Sequence, residues 1–544
     1  MEILSCENVA FKYSGENAYA LSDCSFSVKK GEKIMLCGRS GSGKSTLLRL
    51  LKRELSPRGE LAGKIMLMGS ERDELTDRAS AEKIGFVMQD PDSQTVCDKV
   101  SSEIAFALES FGTESSEILS RVGEMAAFFG IEGLYDRDIS TLSGGQKQLV
   151  SLCSVMVTDP EILLLDEPTA QLDPVAAREL LGIVERLNKE MGVTVIIAEH
   201  DPNELFDSCD RVLYMENGRN VFFDTPQKAA EYFVKNGLEG FLPESAKVFA
   251  GISDSLPLNV RQGREELERL RFRDMPTESG FEDNGSQEIA LECKNIWQRY
   301  EKGSPDIIKG AYLSVKKGEC YGLLGSNGGG KSTLLRVICG LSKAYMGSIS
   351  LFGKKQKAYK NGSLFRSMLG FLPQQPAAMF VKDSVREDFL QSADEEKIRA
   401  VSEKMGIESL LDRHPWDLSG GELQKCAFGK ILLCDPKIII LDECTKGMDA
   451  FAKDTLGGIV DSLKAEGRTI LLVTHDLEFA AEHCDRCGLL FDGKIVAEDT
   501  AVRSFSHNRF YTTAAARLTR GYFDGTVTSK AARERLILQQ EGGR

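Results

Sequence analysis

A nine-residue run, Gly38-Arg39-Ser40-Gly41-Ser42-Gly43-Lys44-Ser45-Thr46, returns 287 positions later as Gly325-Ser326-Asn327-Gly328-Gly329-Gly330-Lys331-Ser332-Thr333. Both runs fit the G-x-x-x-x-G-K-[ST] pattern of a phosphate-binding loop, in which glycines let successive backbone N–H groups turn inward on a polyphosphate. In that pattern the lysine reaches the β/γ-phosphates and the following hydroxyl ligates Mg²⁺. The apolar stretch 33–37 before the first loop reads as a buried strand, and 45–55 after it reads as a helix. A helix N-terminus is thereby set under the phosphates.

The duplication extends well beyond the loops. Lys29-Lys30-Gly31-Glu32 is matched by Lys316-Lys317-Gly318-Glu319, Cys6-Glu7-Asn8 by Cys293-Lys294-Asn295, and Tyr13 by Tyr300. Downstream, the first half carries Gln89 after an apolar run, LSGGQ at 142–146, ILLLDE at 162–167, Asp173, and a strand at 193–198 ending at His200. The second half carries Gln374, LSGGE at 418–422, IIILDE at 438–443, Asp449 and His475 in the same order. A period this long marks a duplicated domain rather than a short-repeat solenoid.

The offset falls to 285 at the glutamines and 276 at the signature serines, so the second copy lacks nine residues between those two points. The segment 101–130 reads as helical. Its shortening therefore predicts either unequal helical surfaces for two different partners or simply a shorter surface loop.

A chain of 544 residues exceeds one hydrophobic core. Four segments are expected: domains at 1–227 and 288–500, a partly helical extension with an acidic linker at 228–287, and a mildly basic, partly helical tail at 501–544. The formal charge of −14 opposes polyanion binding. No apolar run approaches the ~18 residues that would span a bilayer, and the opening residues read as a strand rather than a signal peptide. A soluble or peripheral protein is expected. The 14 cysteines sit inside apolar segments, as small core residues kept reduced. Cys484-Asp485-Arg486-Cys487 has metal or redox spacing. Its first-half counterpart, however, places aliphatic Val212 where the second cysteine falls, so half-buried packing explains the pair as well.

Taken together, this motif set resembles the nucleotide-binding domains of ABC ATPases. The resemblance implies an α/β fold: two tandem P-loop NTPase domains, each with a RecA-like α/β core, an antiparallel β part and a helical subdomain. It assigns Mg²⁺ to Ser45, Gln89 and Asp166, and to Ser332, Gln374 and Asp442. Glu167 and Glu443 would activate or orient the attacking water, and His200 and His475 would contact the γ-phosphate. Ser143-Gly144-Gly145 and Ser419-Gly420-Gly421 would each meet the γ-phosphate held by the other half. Tyr13 and Tyr300 stand where family members stack an aromatic on adenine; an ordinary core aromatic is the other reading.

Within the family, Gln89-Asp90-Pro91-Asp92-Ser93-Gln94 followed by Glu103-Ile104-Ala105-Phe106 resembles the ATPases of energy-coupling factor (ECF) transporters. Leu372-Pro373-Gln374-Gln375-Pro376 and Arg509-Phe510-Tyr511-Thr512-Thr513 resemble their fused versions. The resemblance implies ATP and Mg²⁺ as cofactors and a peripheral location on the cytoplasmic face of the membrane. Its partners would be a transmembrane coupling protein and a small membrane protein that captures a vitamin or transition-metal ion, with no nucleic acid. A tandem sugar-importer ATPase and a ribosome-associated ABC-F-type ATPase are the alternatives.

Overall fold

The computed structural model describes residues 1–270, 288–360, 362–523 and 525–542. The predicted acidic linker at 273–287 lies outside them. The chain divides into two units, Met1–Asn259 and Val260–Arg544.

The first unit runs β1 (Glu2–Tyr13), β2 (Leu21–Lys29), β3 (Lys33–Gly38), α1 (Lys44–Leu51), β4 (Gly59–Leu67), β5 (Ser70–Glu71), α2 (Asp77–Lys83), β6 (Ile84–Val87), α3 (Val100–Ser110), α4 (Ser115–Phe129), α5 (Gly144–Met156), β7 (Ile162–Asp166), α6 (Pro174–Met191), β8 (Thr194–Ala198), β9 (Arg211–Glu216), β10 (Arg219–Asp224), α7 (Pro226–Lys235) and α8 (Glu244–Phe249). Its central sheet has the order β10-β9-β3-β8-β7-β6, parallel except for β10, and a second, antiparallel sheet has the order β2-β1-β4-β5. Strands β3, β7 and β8 are buried at every position, as near-continuous apolar runs require when both faces of a parallel sheet are covered. Alternate residues Ile34, Leu36, Ile162, Leu164 and Ile196 join the antiparallel sheet and the α1 leucines in one core. Aromatics from β9, α7 and the turn before α8 (Tyr214, Phe233, Phe241) pack beside the edge of the sheet.

The second unit opens with α9 (Val260–Arg269) and continues through β11 (Ile289–Gln298), β12 (Ile308–Lys316), β13 (Cys320–Leu324), α10 (Lys331–Ile338), β14 (Met346–Leu351), β15 (Lys354–Lys355), α11 (Leu364–Ser367), β16 (Leu369–Leu372), α12 (Val385–Leu390), α13 (Glu395–Met405), α14 (Gly420–Leu432), β17 (Ile438–Asp442), α15 (Ala450–Ala465), β18 (Thr469–Val473), α16 (Leu477–His483), β19 (Arg486–Phe491), β20 (Lys494–Thr500), α17 (Ala501–His507), α18 (Ala514–Thr519) and α19 (Ser529–Gly542). The sheet orders repeat strand for strand, β20-β19-β13-β18-β17-β16 and β12-β11-β14-β15.

Two of the differences between the units bear on the site and its surroundings. First, α12 and α13 have 6 and 11 residues where α3 and α4 have 11 and 15. All nine missing residues come out of these two helices, and the loop reading is therefore set aside. Second, the tail is part of the second unit's core: Ala501, Phe505, Ala516 and Val527 join the cluster that covers β17 and β18. Helix α9, which precedes the linker in sequence, packs on this tail; the Arg264 guanidinium donates to the carbonyls of Arg517 (2.7 Å) and Arg520 (3.3 Å).

All 14 cysteines are free, and only Cys97 and Cys434 are less than fully buried. The Cys484 and Cys487 thiols close over Gly322 of β13, each 3.0 Å from where a β-carbon there would lie. Among the described residues no helix is long and apolar enough to cross a membrane.

Candidate active site

Each glycine-rich loop joins the carboxyl end of a central strand to a helix that begins without a side-chain cap. Its first-turn N–H groups are thus left for an anion. Gly43 and Gly330 precede those helices at φ 99°. A β-carbon on Gly43 would lie 2.7 Å from Leu21 Cδ2 and 2.8 Å from the Ala20 carbonyl, so both backbone angle and space demand glycine. Lys44 Nζ donates to the Gly38 and Arg39 carbonyls at 2.9 and 3.3 Å, and Lys331 Nζ to Gly325 and Ser326 at 2.8 and 3.1 Å. Both ammonium groups are thereby held inside their loops.

Strands β7 and β17 bring Asp166 and Asp442 beside the loops. Ser45 Oγ donates to Asp166 Oδ1 at 2.8 Å, and Ser332 Oγ to Asp442 Oδ1 at 3.2 Å. Burial pushes both carboxyls up, Asp442 to about 6, against the serine hydrogen bonds that pull them down. A buried carboxylate with a hydroxyl neighbour is a hard-oxygen donor pair that suits Mg²⁺. Among the described residues no group of three or more His, Cys, Asp or Glu side chains is arranged to hold a metal ion. The donor set therefore fits a cation completed by phosphate oxygens and water, as Mg²⁺ ordinarily is; it does not form an all-protein cage.

One residue further on, Glu167 and Glu443 adopt left-handed backbone at φ 49° and 53°. For a glutamate this is a strained corner, repeated at the same place in both units. It turns each carboxylate out of the strand toward the following histidine. Gln89 Nε2 donates to Glu167 Oε2 at 2.8 Å, and His200 Nε2 lies 2.7 Å from Glu167 Oε1. Gln89, Glu167 and His200 therefore meet.

The second unit meets differently. His475 Nδ1 lies 2.7 Å from Glu443 Oε2, the His475 N–H donates to the same oxygen at 3.3 Å, and Lys331 Nζ is 3.6 Å from Oε1. Burial raises Glu443, but His475 and Lys331 outweigh it and leave the carboxyl below its ordinary value. Gln374 is exposed and, among the described residues, makes no hydrogen bond to Glu443.

The signature serines start α5 and α14 with reciprocal caps. Gln146 N–H donates to Ser143 Oγ (3.3 Å) while Ser143 N–H donates to Gln146 Oε1 (3.0 Å); Ser419 and Glu422 do the same at 3.4 and 2.9 Å. A β-carbon on Gly145 would meet Ala176 at 2.9 Å, whereas one on Gly420 or Gly421 would meet nothing within 4 Å. Packing inside the second unit thus does not account for that glycine pair. Tyr13 and Tyr300 each share a 2.9 Å hydrogen bond with the loop threonine, Thr46 and Thr333. Tyr300 is 61% exposed, which removes the core-aromatic reading for it; Tyr13 is half-buried, edge-on to Phe11.

Sequence reasoning missed Glu199, a buried carboxylate beside His200. The mismatch of Ala198-Glu199-His200 against Val473-Thr474-His475 in the repeat was the signal available.

Comparison with known proteins agrees with this geometry. The sequence profile described as "ABC transporter" matches residues 21–170 and 308–446, more than half of the chain. A protein of Bacillus cereus (strain ATCC 10987 / NRS 248) named "Putative ABC transporter ATP-binding protein" is 40% identical over 522 residues, covering 94% of each chain. One of Bacillus subtilis (strain 168) named "Putative HMP/thiamine import ATP-binding protein YkoD" is 31% identical over 527 residues, 93% of each chain. Among solved structures, the archaeal ribosome recycling factor aABCE1, in complex with the ribosomal stalk protein aP1, aligns over 89% of this chain and 87% of its own. Its TM-score of 0.57 at 22% identity is a likeness of fold. Two phosphate loops, two Asp-Glu corners and two signature turns in one duplicated α/β chain, together with these matches, make it a tandem ATPase of the ABC transporter family.

Proposed function

We propose that this ABC ATPase powers an ECF-type importer of a vitamin or transition-metal ion. The observation that carries the reading is the segment Gln89-Asp90-Pro91-Asp92-Ser93-Gln94. Asp90 caps the turn through Asp92 N–H (3.2 Å) and Ser93 Oγ (2.8 Å). Gln94 bonds the Met88 N–H (2.9 Å) and the Phe86 carbonyl (3.1 Å), and Lys147 of the signature helix reaches Asp92. This ECF-like motif is thus a braced turn linking Gln89 to the signature helix. The relative named for HMP/thiamine import supports the same class, and the unequal α3/α4 and α12/α13 pairs suit two non-identical contacts on a transmembrane coupling protein. A small membrane protein would capture the solute, with this chain peripheral on the cytoplasmic face.

In this reading Glu167 and Glu443 are the water-activating carboxylates, and His200 and His475 the γ-phosphate contacts. Lys44, Lys331 and the loop amides bind ATP; Ser45, Asp166, Ser332 and Asp442, with Gln89 and Gln374, hold Mg²⁺, which when bound offsets phosphate charge. Ser419 completes the Lys44 site and Ser143 the Lys331 site, so ATP drives closure and hydrolysis reopening, a population shift between two states. The exposed signature serines and the open faces of Gly420 and Gly421 support that assignment.

The test is gentle detergent purification of the full chain from its native cell. Co-purifying small hydrophobic membrane proteins are expected; ribosomes in their place would overturn the importer reading.

A further inference from the structure

Glu199 is 4% exposed, yet among the described residues it forms no salt bridge. Its Oε1 accepts hydrogen bonds from the Thr169 hydroxyl at 2.6 Å and the Thr169 N–H at 3.0 Å, and its Oε2 accepts the His200 N–H at 3.3 Å. Thr169 lies in the turn that leaves the Glu167 corner, where the Ala170 N–H returns to the Glu167 carbonyl at 3.2 Å and the Glu167 N–H to the Ala198 carbonyl at 3.0 Å. One carboxylate thus ties together the turns that carry Glu167 and His200. At the matching place in the second unit stand two hydroxyls, Thr445 and Thr474, 3.3 Å apart.

We propose that Glu199 is a positioning residue of the first ATP site, bracing the Thr169 turn so that Glu167 is held for the attacking water, and that this brace makes the two sites hydrolyse ATP unequally. The inference rests on the catalytic assignment of Glu167 proposed above, though not on the importer reading. A buried carboxylate is retained at this cost only where its hydrogen bonds are made. Three of them are made here, all to the two turns that frame the catalytic corner. The ionisable groups acting on Glu199 are Glu167 at the end of β7 and Asp201 on its own turn, with His200 adjacent. Burial first, then these two acids, push it up to about 7 against the Thr169 hydrogen bonds. The brace therefore ionises within the range of an ordinary assay, and its acceptor bonds strengthen as it does so.

The experiment uses the full chain in a Glu443→Gln background, where the first site alone keeps its carboxylate, and measures kcat, KM for ATP and the profile from pH 6 to 8.5. Glu199→Thr, which copies the second half, is expected to lower kcat about tenfold through misplacement of Glu167, with KM for ATP within about twofold. Glu199→Gln, which keeps the shape and the oxygen that Thr169 bonds but not the acceptor for the His200 N–H, is expected to restore most of kcat but to lose the rise in rate between pH 6 and 8. Wild-type kcat and pH profile in Glu199→Thr would overturn the proposal. If that variant does not fold, a Glu199→Gln profile superimposable on wild type would overturn it. Full turnover in the Glu167→Gln, Glu443→Gln double variant would sink the Glu167 assignment itself and this inference with it. An inactive double variant beside an unaffected Glu199→Thr sinks the brace alone.

Discussion

The two halves share every strand neighbour, both loop geometries and a histidine 2.7 Å from the corner glutamate, yet Gln89 reaches that carboxylate and Gln374 does not. In the first, Glu167 is gripped by Gln89 and His200 from the side-chain end and by the Glu199 brace from the backbone end. In the second, Glu443 leans toward Lys331 and His475, while Gln374 stands apart. The second half's helical pair is also shorter, and Lys430 of α14 reaches Asp388 at 2.8 Å, whereas the aligned positions of the first half are Ser154 and Glu103, which form no ion pair among the described residues. Duplication thus preserved the frame that fixes phosphate while the surroundings of the reacting carboxylate diverged. Sheet topology constrains the first, and a handful of long-range side-chain contacts sets the second.

The comparison can be broken at several depths. Replacing both corner glutamates by glutamine is expected to cut steady-state ATP turnover by about 10³-fold while binding persists, since a positioned base contributes ~10²–10⁴-fold. The single variants should be unequal, and equal losses would erase the functional contrast between the halves. Lys430→Met should destabilise the second unit by about 3 kcal/mol in urea unfolding, because it leaves fully buried Asp388 without its cation; Ser154→Ala in the first should change stability by under about 0.5 kcal/mol. Gln89→Ala is expected to slow turnover about tenfold and Gln374→Ala less in single-turnover assays, since only the former reaches its glutamate.

Protonation gives a subtler test. Glu199 is raised from 4.5 to about 7 by burial, so the folded chain holds a proton that the unfolded chain has released. Its contribution to stability is fully present below about pH 4.5 and is lost as pH rises through about 7. The urea midpoint of wild type should accordingly fall relative to Glu199→Gln across that window, and Thr474→Gln should show no such trend. The smallest effect is expected from Glu422→Gln, which makes the second signature cap like the first and should move the thermal midpoint by no more than about 1 °C.

Much of this was legible in the residues. Apolar runs at 162–165 and 438–441 could only be buried strands, and an Asp-Glu pair at their carboxyl ends had to sit beside the loops. Ser-Gly-Gly-Gln and Ser-Gly-Gly-Glu carry their own capping-box signature. What the sequence left open depended on distance through space. Whether nine residues came from helix or loop turned on where α12 and α13 end, which local propensity does not fix. That α9 would cross the linker to pack on the tail was invisible, because amphipathic periodicity names a buried face without naming its partner. Glu199 belongs to no motif, and its role is visible only through its bonds to the Thr169 turn, 30 residues away in sequence.

The left-handed corner at Glu167 and Glu443 has an evolutionary edge to it. Glycine would relax that backbone by about 1 kcal/mol or more, so selection for heat tolerance alone would drift toward hardier proteins that no longer turn over. Any library built to toughen this chain needs an activity gate at those two codons.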